Sequence, residues 1–264
     1  MNDVLGVCQA WGPEAAVIAR EGGSTVTVPI ADIVSGKPVP PRPSVRLRMS
    51  PLEAQQRSLV MWPHVDTEQL GDWVLRSSES DPVRRANSAL AMGDPGISFT
   101  RAVQRVLDYY RDRDKRPLVM VEADSEVCKR FTDAGWELDR PHEPDTWFQV
   151  ASISRARRAV SGIRTIEVEM VADDHRLEAR VGDEALIRAA YDRDWLGLHA
   201  LNVEPSRRRQ GLALNLLSAM LDWGAERGAT TAYLQVLADN ESALELYERL
   251  GFSTHHAYRY LTPG

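Results

Sequence analysis

One segment constrains this chain more than any other. The apolar run Trp195-Leu-Gly-Leu-His-Ala-Leu-Asn-Val203 breaks at Glu204-Pro205 into Ser206-Arg-Arg-Arg-Gln-Gly211 and then opens without a linker into the long apolar stretch that begins Leu212-Ala-Leu-Asn. The pattern predicts a strand, a tight basic turn and a helix from about Gln210 to Arg227 that Gly228 stops. A helix entered this abruptly leaves its first backbone N–H groups unpaired and carries partial positive charge there, so its start is a ready anion site. Gly211 lets an anion approach the backbone, Ala213 keeps the next turn clear, and Arg207, Arg208 and Arg209 add fixed charge. An exposed arginine-rich turn before an ordinary amphipathic helix would look the same, and the turn alone does not separate the two.

Around this segment the same order of elements is read twice. The first 35 residues give short strands, Val4 to Trp11, Ala15 to Arg20 and Ser24 to Pro29, with a hairpin turn at Glu21-Gly22-Gly23-Ser24. Gly36 to Pro43 holds four prolines and reads as an extended spacer. A helix is expected from Pro51 to about Pro63, then paired strands at Trp73–Arg76 and Arg84–Met92, a helix from Ser98 to Asp112, a strand at Leu118–Val121, a helix to Ala134 and a strand at Trp147–Ile153. After a basic connector, Arg155 to Arg158, strands are expected at Ile163–Met170, Arg176–Val181, Glu184–Ala190 and Trp195–Val203. The helix after Gln210 follows, then a strand at Thr230–Leu237, a helix at Glu241–Leu250 and a strand at Phe252–Leu261. The fold class expected is α+β with a mixed sheet. The expected division is a small unit and linker at 1–45, one half at 46–153 and a second half at 154–264.

Composition narrows the function classes. The chain has 264 residues and a formal charge of −6, which argues against a surface built to cover nucleic acid phosphates. Its two cysteines, Cys8 and Cys128, stand far apart with no CxxC or Cys/His spacing, so neither a disulfide framework nor a metal site is expected. No run of about 18 apolar residues occurs, which speaks against a membrane span and, with the absence of a leader pattern, fits a cytoplasmic protein.

Two motifs together carry a resemblance. Arg208-Arg-Gln-Gly211-Leu-Ala213 resembles the pyrophosphate-binding turn of the GCN5-related N-acetyltransferases, Q/R-x-x-G-x-G/A. About 30 residues downstream, Asn240-Glu-Ser-Ala243-Leu-Glu-Leu-Tyr247-Glu-Arg-Leu-Gly251-Phe252 resembles the second signature of that superfamily, N-x-x-A-x-x-x-Y-x-x-x-G-F. The layout is similar to an actinobacterial subgroup with a small SH3-like β-barrel, a degenerate acetyltransferase-like half and then the half that bears the motifs. The resemblance implies acetyl-coenzyme A as cosubstrate and a primary amine as acceptor. It further implies that the backbones of Leu201 and Val203 pair with the pantetheine arm, and that the N–H groups of Arg208, Arg209, Gln210, Gly211, Leu212 and Ala213 hold the pyrophosphate. Asn240 would contact pantetheine and Tyr247 would protonate the departing thiolate. Helix capping by Asn240 and core packing by Tyr247 are the structural alternatives.

Amine acetylation also needs a base that titrates near working pH. Strand alternation puts Trp195, Gly197, His199, Leu201 and Val203 on one side, so His199 would share a side with the two strand residues assigned to the cofactor. The segment is similar to the strand of arylalkylamine N-acetyltransferases in which two histidines assist deprotonation, with Gly197 where the first would stand. His199 is therefore the candidate base. There is no room between Ser154 and Ile163 for the two helices that shape the family's acceptor pocket, and the chain ends soon after Tyr260, so the family's last strand is expected to be missing and residues 46–153 to supply the missing walls. The earlier half has Gly93-Asp-Pro-Gly96 in place of the basic turn, which implies one acetyl-coenzyme A per chain. A monomer or homodimer without nucleic acid or membrane partners is expected; the alternative is a non-catalytic acetyl-coenzyme A sensor.

Overall fold

The protein is described from a computed structural model, which covers residues 4, 6–20, 24–36, 45–163 and 166–264. The chain divides into two compact units, Met1–Arg42 and Pro43–Gly264. In the first, β1 (Val7–Trp11), β2 (Ala15–Ala19) and β3 (Thr25–Pro29) form an antiparallel sheet in that order. The hairpin turn expected at residues 21–23 and most of the proline-rich spacer lie outside the described residues.

The second unit opens with α1 (Pro51–Arg57), capped by the Ser50 hydroxyl accepting from Glu53 N at 3.2 Å, which tightens into a 3-10 turn at Ser58–Met61. Next come β4 (Asp66–Leu70), β5 (Trp73–Ser77), a 3-10 turn at Arg84–Ala86, β6 (Ala89–Leu90), α2 (Phe99–Arg111), β7 (Val119–Glu122), α3 (Glu126–Asp133), β8 (Trp136–Leu138) and β9 (Thr146–Ser152). The remainder is α4 (Ile153–Val160), β10 (Glu169–Ala172), β11 (Arg176–Val181), β12 (Ala185–Asp192), β13 (Trp195–Val203), α5 (Leu212–Glu226), β14 (Thr231–Leu237), α6 (Glu241–Arg249) and β15 (Ser253–Pro263).

Three expectations are corrected. The strand expected at Arg84–Met92 shrinks to the two residues of β6, with Arg84 in ion pairs with Asp139 and Glu143; β6 does pair antiparallel with β5 at Val74↔Leu90, and β5 has a second antiparallel partner in β4, too polar to read as a strand. The basic connector is α4: Ser152 caps it, and Ile153, Ala156 and Val160, spaced at three and four, bury one face while the arginines stay outside. The strand expected at Ile163–Met170 instead occupies Glu169–Ala172.

The strands from β4 onward make one twelve-stranded sheet, in the order β10-β11-β12-β13-β14-β9-β15-β7-β6-β5-β4, with β8 paired to β15. It is nearly symmetric about its central pair. On one side β13 runs parallel to β14, linked through α5; on the other β6 runs parallel to β7, linked through α2. At the centre the two halves exchange strands. Along its whole length β14 pairs with β9, from Thr231↔Ser152 to Leu237↔Thr146, whereas β15 pairs with β9, β7 and β8. The final strand is thus present, and the place beside β14 is filled from the earlier half. One core packs α4, α5 and α6 on the second half (Leu196, Leu198, Leu216, Leu217, Met220, Leu221) and another packs α2 and α3 on the first (Trp73, Tyr110, Phe131, Trp136). A third lies on the opposite face of the centre, where Met61, Phe148, Trp195 and Tyr233 meet α1.

Candidate active site

The site forms where two parallel strands part. β13 and β14 pair from Trp195↔Thr231 to Leu198↔Leu234 and no further. Beyond that point β14 stays with β9 and β13 stays with β12, so a gap opens through the sheet at His199 and Gln235. Hydrogen-bonding groups on the facing strand edges there have no strand opposite them, the condition under which an extended ligand can pair with a backbone.

A bulge sets which side chains face which way. Between Arg188↔His199 and Leu186↔Asn202 the register shifts, and Ala200 takes a left-handed backbone (φ 56°). The extra residue breaks the alternation read from the sequence. Leu201 and Val203 turn to the α5 side with Leu196 and Leu198, while His199 stays on the α1 side, its ring edge-on to Trp62 at 5.3 Å. The expectation that His199 shares a side with Leu201 and Val203 is therefore corrected: the two faces of the gap carry different equipment.

On the α5 side the turn into the helix has an anion-binding form. Arg209 (φ 60°) and Gly211 (φ 84°) are both left-handed, and the Asn215 side chain braces the turn, donating from Nδ2 to Gly211 O at 3.0 Å and accepting from Ile166 N at 3.1 Å. The first backbone bond of the helix is Asn215 N to Gly211 O, 3.1 Å. Among the described residues no protein acceptor meets the N–H groups of Arg209 through Leu214. Alternating left-handed residues in front of a helix start make a concave nest of such donors. A β-carbon on Gly211 would find open space, with Asn215 Nδ2 nearest at 3.8 Å, so φ rather than crowding demands glycine. The side chain of Leu212 is buried in the core, leaving only its amide to the turn. Arg207 pairs with Glu184 at 3.0 Å and Arg208 donates from Nε to Val203 O at 3.2 Å, which leaves Arg209 exposed and unengaged among the described residues. Gln210 donates to Ser206 O at 3.4 Å.

Asn240 caps α6, its Oδ1 accepting from Ala243 N at 3.3 Å, the structural alternative raised for it; its amide donors carry no protein acceptor among the described residues. Tyr247 is 9% exposed and lies against Phe252. Burial pushes its hydroxyl up to about 12, and no protein hydrogen bond to that hydroxyl occurs among the described residues. The tyrosine is thus a packed side chain with a protonated, uncommitted hydroxyl.

On the α1 side His199 is lowered to about 4, by burial first and then by the charges of Arg188 and Arg85, with Asp81 opposing. It is neutral at physiological pH and keeps a free lone pair. Gly197, where the sequence comparison put a missing base, has no space for one: a β-carbon would sit 2.3 Å from Met61 Cε and 2.5 Å from the Tyr233 ring. Two residues facing this mouth escaped the sequence reading. Gln235 is the only polar residue within the β14 run Thr231-Ala-Tyr-Leu-Gln-Val-Leu237 after its first position, and that lone polar letter was the available signal. Arg85 comes from the other half, and no motif marks it.

The corresponding turn in the first half carries acidic side chains in place of arginines: the Asp72 carboxylate accepts from Asp94 N at 2.8 Å and Asp94 Oδ1 accepts from Gly96 N at 2.9 Å, while Ser98 makes no side-chain cap on α2.

The parted parallel strands and the nest thus lie together on the α5 side of the gap. A family model described as "Probable histone acetyltransferase Rv0428c C-terminal" matches residues 124–261, over half of the chain. The chain belongs to that family of GCN5-related N-acetyltransferases. It is 27% identical over 284 residues to the Probable histone acetyltransferase Rv0428c of Mycobacterium tuberculosis, spanning 99% of this chain and 89% of that protein. It is 31% identical over 197 residues to a mycothiol acetyltransferase of Clavibacter sepedonicus, covering 69% of this chain and 62% of that one. Among solved structures, a GCN5-related N-acetyltransferase from Kribbella flavida matches with a TM-score of 0.60 at 16% identity, covering 84% of this chain and 97% of that one. A tandem GNAT protein from the clavulanic acid biosynthesis pathway matches with a TM-score of 0.54 at 13% identity, covering 79% and 86%. Both share the fold. No helix among the described residues is long and apolar enough to cross a membrane.

Proposed function

We propose that this acetyltransferase takes its acetyl group from acetyl-coenzyme A and passes it to a primary amine by direct attack in a ternary complex, at one site per chain. The observation that carries the reading is the row of unmet N–H groups from Arg209 to Leu214 beside a gap between parallel strands. The nest would hold the pyrophosphate, with Arg209 as its free cation, and the edges of β13 at Leu201 and Val203 would pair with the pantetheine arm. Acetyl-coenzyme A supplies the activated thioester. Because the gap runs through the sheet, a carbonyl lodged in it can be approached from the α1 side while the sulfur is served from the α5 side. His199, neutral and without a hydrogen-bond partner among the described residues, would accept a hydrogen bond from the amine or from a water and relay its proton outward; held at about 4, it falls below the range expected of a base that keeps the proton. Tyr247, protonated throughout the working range, would give its proton to the leaving thiolate.

Calorimetry with acetyl-coenzyme A should saturate at one equivalent per chain, and coenzyme A release should appear with a panel of amines. Tyr247→Phe should lower kcat by about a hundredfold or more, within the usual range for a lost proton donor, while leaving the affinity for acetyl-coenzyme A unchanged. Saturation at two equivalents, or full turnover in the Phe variant, would overturn the assignment.

A further inference from the structure

The mouth of the gap on the His199 face is built from both halves of the molecule. His199 and Gln235 are the first residues on β13 and β14 past the point of parting, and they lie on the same face of the sheet as Tyr233 and Trp195. Arg85 leans over this mouth from the 3-10 turn Arg84–Ala86. Its Nε donates to Gln235 Oε1 at 2.7 Å and to the Tyr258 hydroxyl at 2.9 Å, while Tyr258 donates to the same Oε1 at 2.5 Å.

This triangle fixes the orientation of the glutamine. With the amide turned the other way, Nε2 would face the Arg85 N–H, donor against donor. Two sets of donors are left over. Gln235 Nε2 is buried without a partner, and neither Nη group of Arg85 meets a protein acceptor among the described residues. Among the described residues no carboxylate lies within ion-pair distance of Arg85, and Glu143 acts on it only from farther away. Its neighbour Arg84, by contrast, is neutralised by Asp139 and Glu143, and Glu143 also serves Arg140. The charges acting on His199 are Arg188 and Arg85 against Asp81 alone, and Asp81 already accepts from Val83 N at 3.2 Å. The mouth is therefore cationic and offers a planar fork beside a spare amide donor, the arrangement that binds a carboxylate with two parallel hydrogen bonds.

We infer that the amine acceptor carries a carboxylate, which Arg85 grips through its Nη groups with Gln235 Nε2 as an additional donor; this rests on the acetyl-transfer reading above. Arg85 then sets specificity from the half that binds no cofactor. Arg188 is paired with Glu178 at 2.8 Å, so the free guanidinium that a polycationic peptide tail would meet at the entrance is Arg85, whereas an amino-acid-like zwitterion brings its own counter-charge.

The test uses the full chain saturated with coenzyme A. Binding of alanine, β-alanine and a dipeptide, each beside its own amide, is measured by calorimetry at neutral pH. At least one acid should bind about ten- to a hundredfold tighter than its amide, as expected for hydrogen bonds to a charged group. Arg85→Gln should erase that preference, and Arg85→Lys should keep only part of it. Should either variant fail to melt cooperatively, the acid-against-amide comparison in the unaltered protein still decides. Equal binding of acids and amides in that protein, or a loss in Arg85→Gln that is the same for both, overturns the inference. Amides acetylated as well as acids would sink this inference alone. A retained acid preference without any acetyl transfer would sink the acetyl-transfer reading alone.

Discussion

The nest at the start of α5 depends on two residues with left-handed backbones, only one of which is glycine. Placing a side chain at Gly211 costs about 1–2 kcal/mol in the left-handed region whatever space surrounds it. Gly211→Ala should therefore either destabilise the turn or flatten it. The expected result is at least a tenfold loss in acetyl-coenzyme A affinity by calorimetry, with the melting temperature changed by only a few degrees. The histidine at the other face gives a kinetic prediction whose sign is fixed by its environment. His199 must be deprotonated to act, and burial with two nearby guanidinium groups holds it at about 4. The acid limb of kcat/KM assigned to the enzyme should consequently lie near pH 4, well below the usual histidine range. Any inflection at higher pH belongs to the acceptor amine. His199→Gln should remove the low limb; persistence of that limb would assign it elsewhere.

Among the elements, β15 carries a feature that the sequence displays without explaining. His255 and His256 are adjacent letters, yet their Nδ1 atoms meet at 2.8 Å, His255 Nε2 donates to Met49 O at 2.9 Å and Gln55 Nε2 donates to His256 Nε2 at 2.9 Å. The chain of bonds works only with both rings neutral, and it ties α1 and the segment before it to the central strand. Burial, then the neighbouring His255, hold His256 down to about 3, against an unfolded value near 6.5. A group lowered on folding contributes stability that is whole above its unfolded pKa and is lost as pH falls toward its folded one. Stability should thus decline from pH 6.5 downward by up to about 1.4 kcal/mol per pH unit for this ring, with His199 adding to the slope until about pH 4. Urea unfolding at several pH values would read it, and His256→Gln should flatten the curve.

Element order was legible because most strands and helices of the second half carry strong periodicity and clear stops such as Gly228 and Gly251. The nest was legible because a left-handed backbone just before a helix favours glycine, and Gly211 stands there. What escaped was the side of the sheet on which Leu201 falls, since a bulge at an ordinary alanine leaves no letter behind. The β4 strand escaped because an exposed edge need not be apolar, and Arg85 because its partners lie far along the chain.

For the whole molecule the exchange of strands at the centre matters most. β9 belongs by sequence to the first half and completes the sheet of the second, while β15 does the reverse. A chain cut between Ser152 and Ile153 would leave each piece with an unpaired central edge, which is an invitation to aggregate. We expect the pieces to be insoluble or unfolded when expressed singly, and to copurify and bind acetyl-coenzyme A when expressed together. Solution of either piece as a stable monomer would contradict this. Pairing Thr231 with Ser152 and Tyr258 with Glu122 also closes very long loops, so slow folding through intermediates is expected for this unit.

A dimer of identical subunits writes every substitution twice, once in each copy of its site. Here the two near-copies are spelled out separately, and their roles have diverged. Asp72 puts a carboxylate on one helix-start turn while the equivalent turn before α5 carries arginines, and Arg85 reaches toward a gap with no arginine assigned to return the gesture. Joining the halves into one polypeptide is what makes such asymmetry possible: one copy can give up a site and become part of the surroundings of the other.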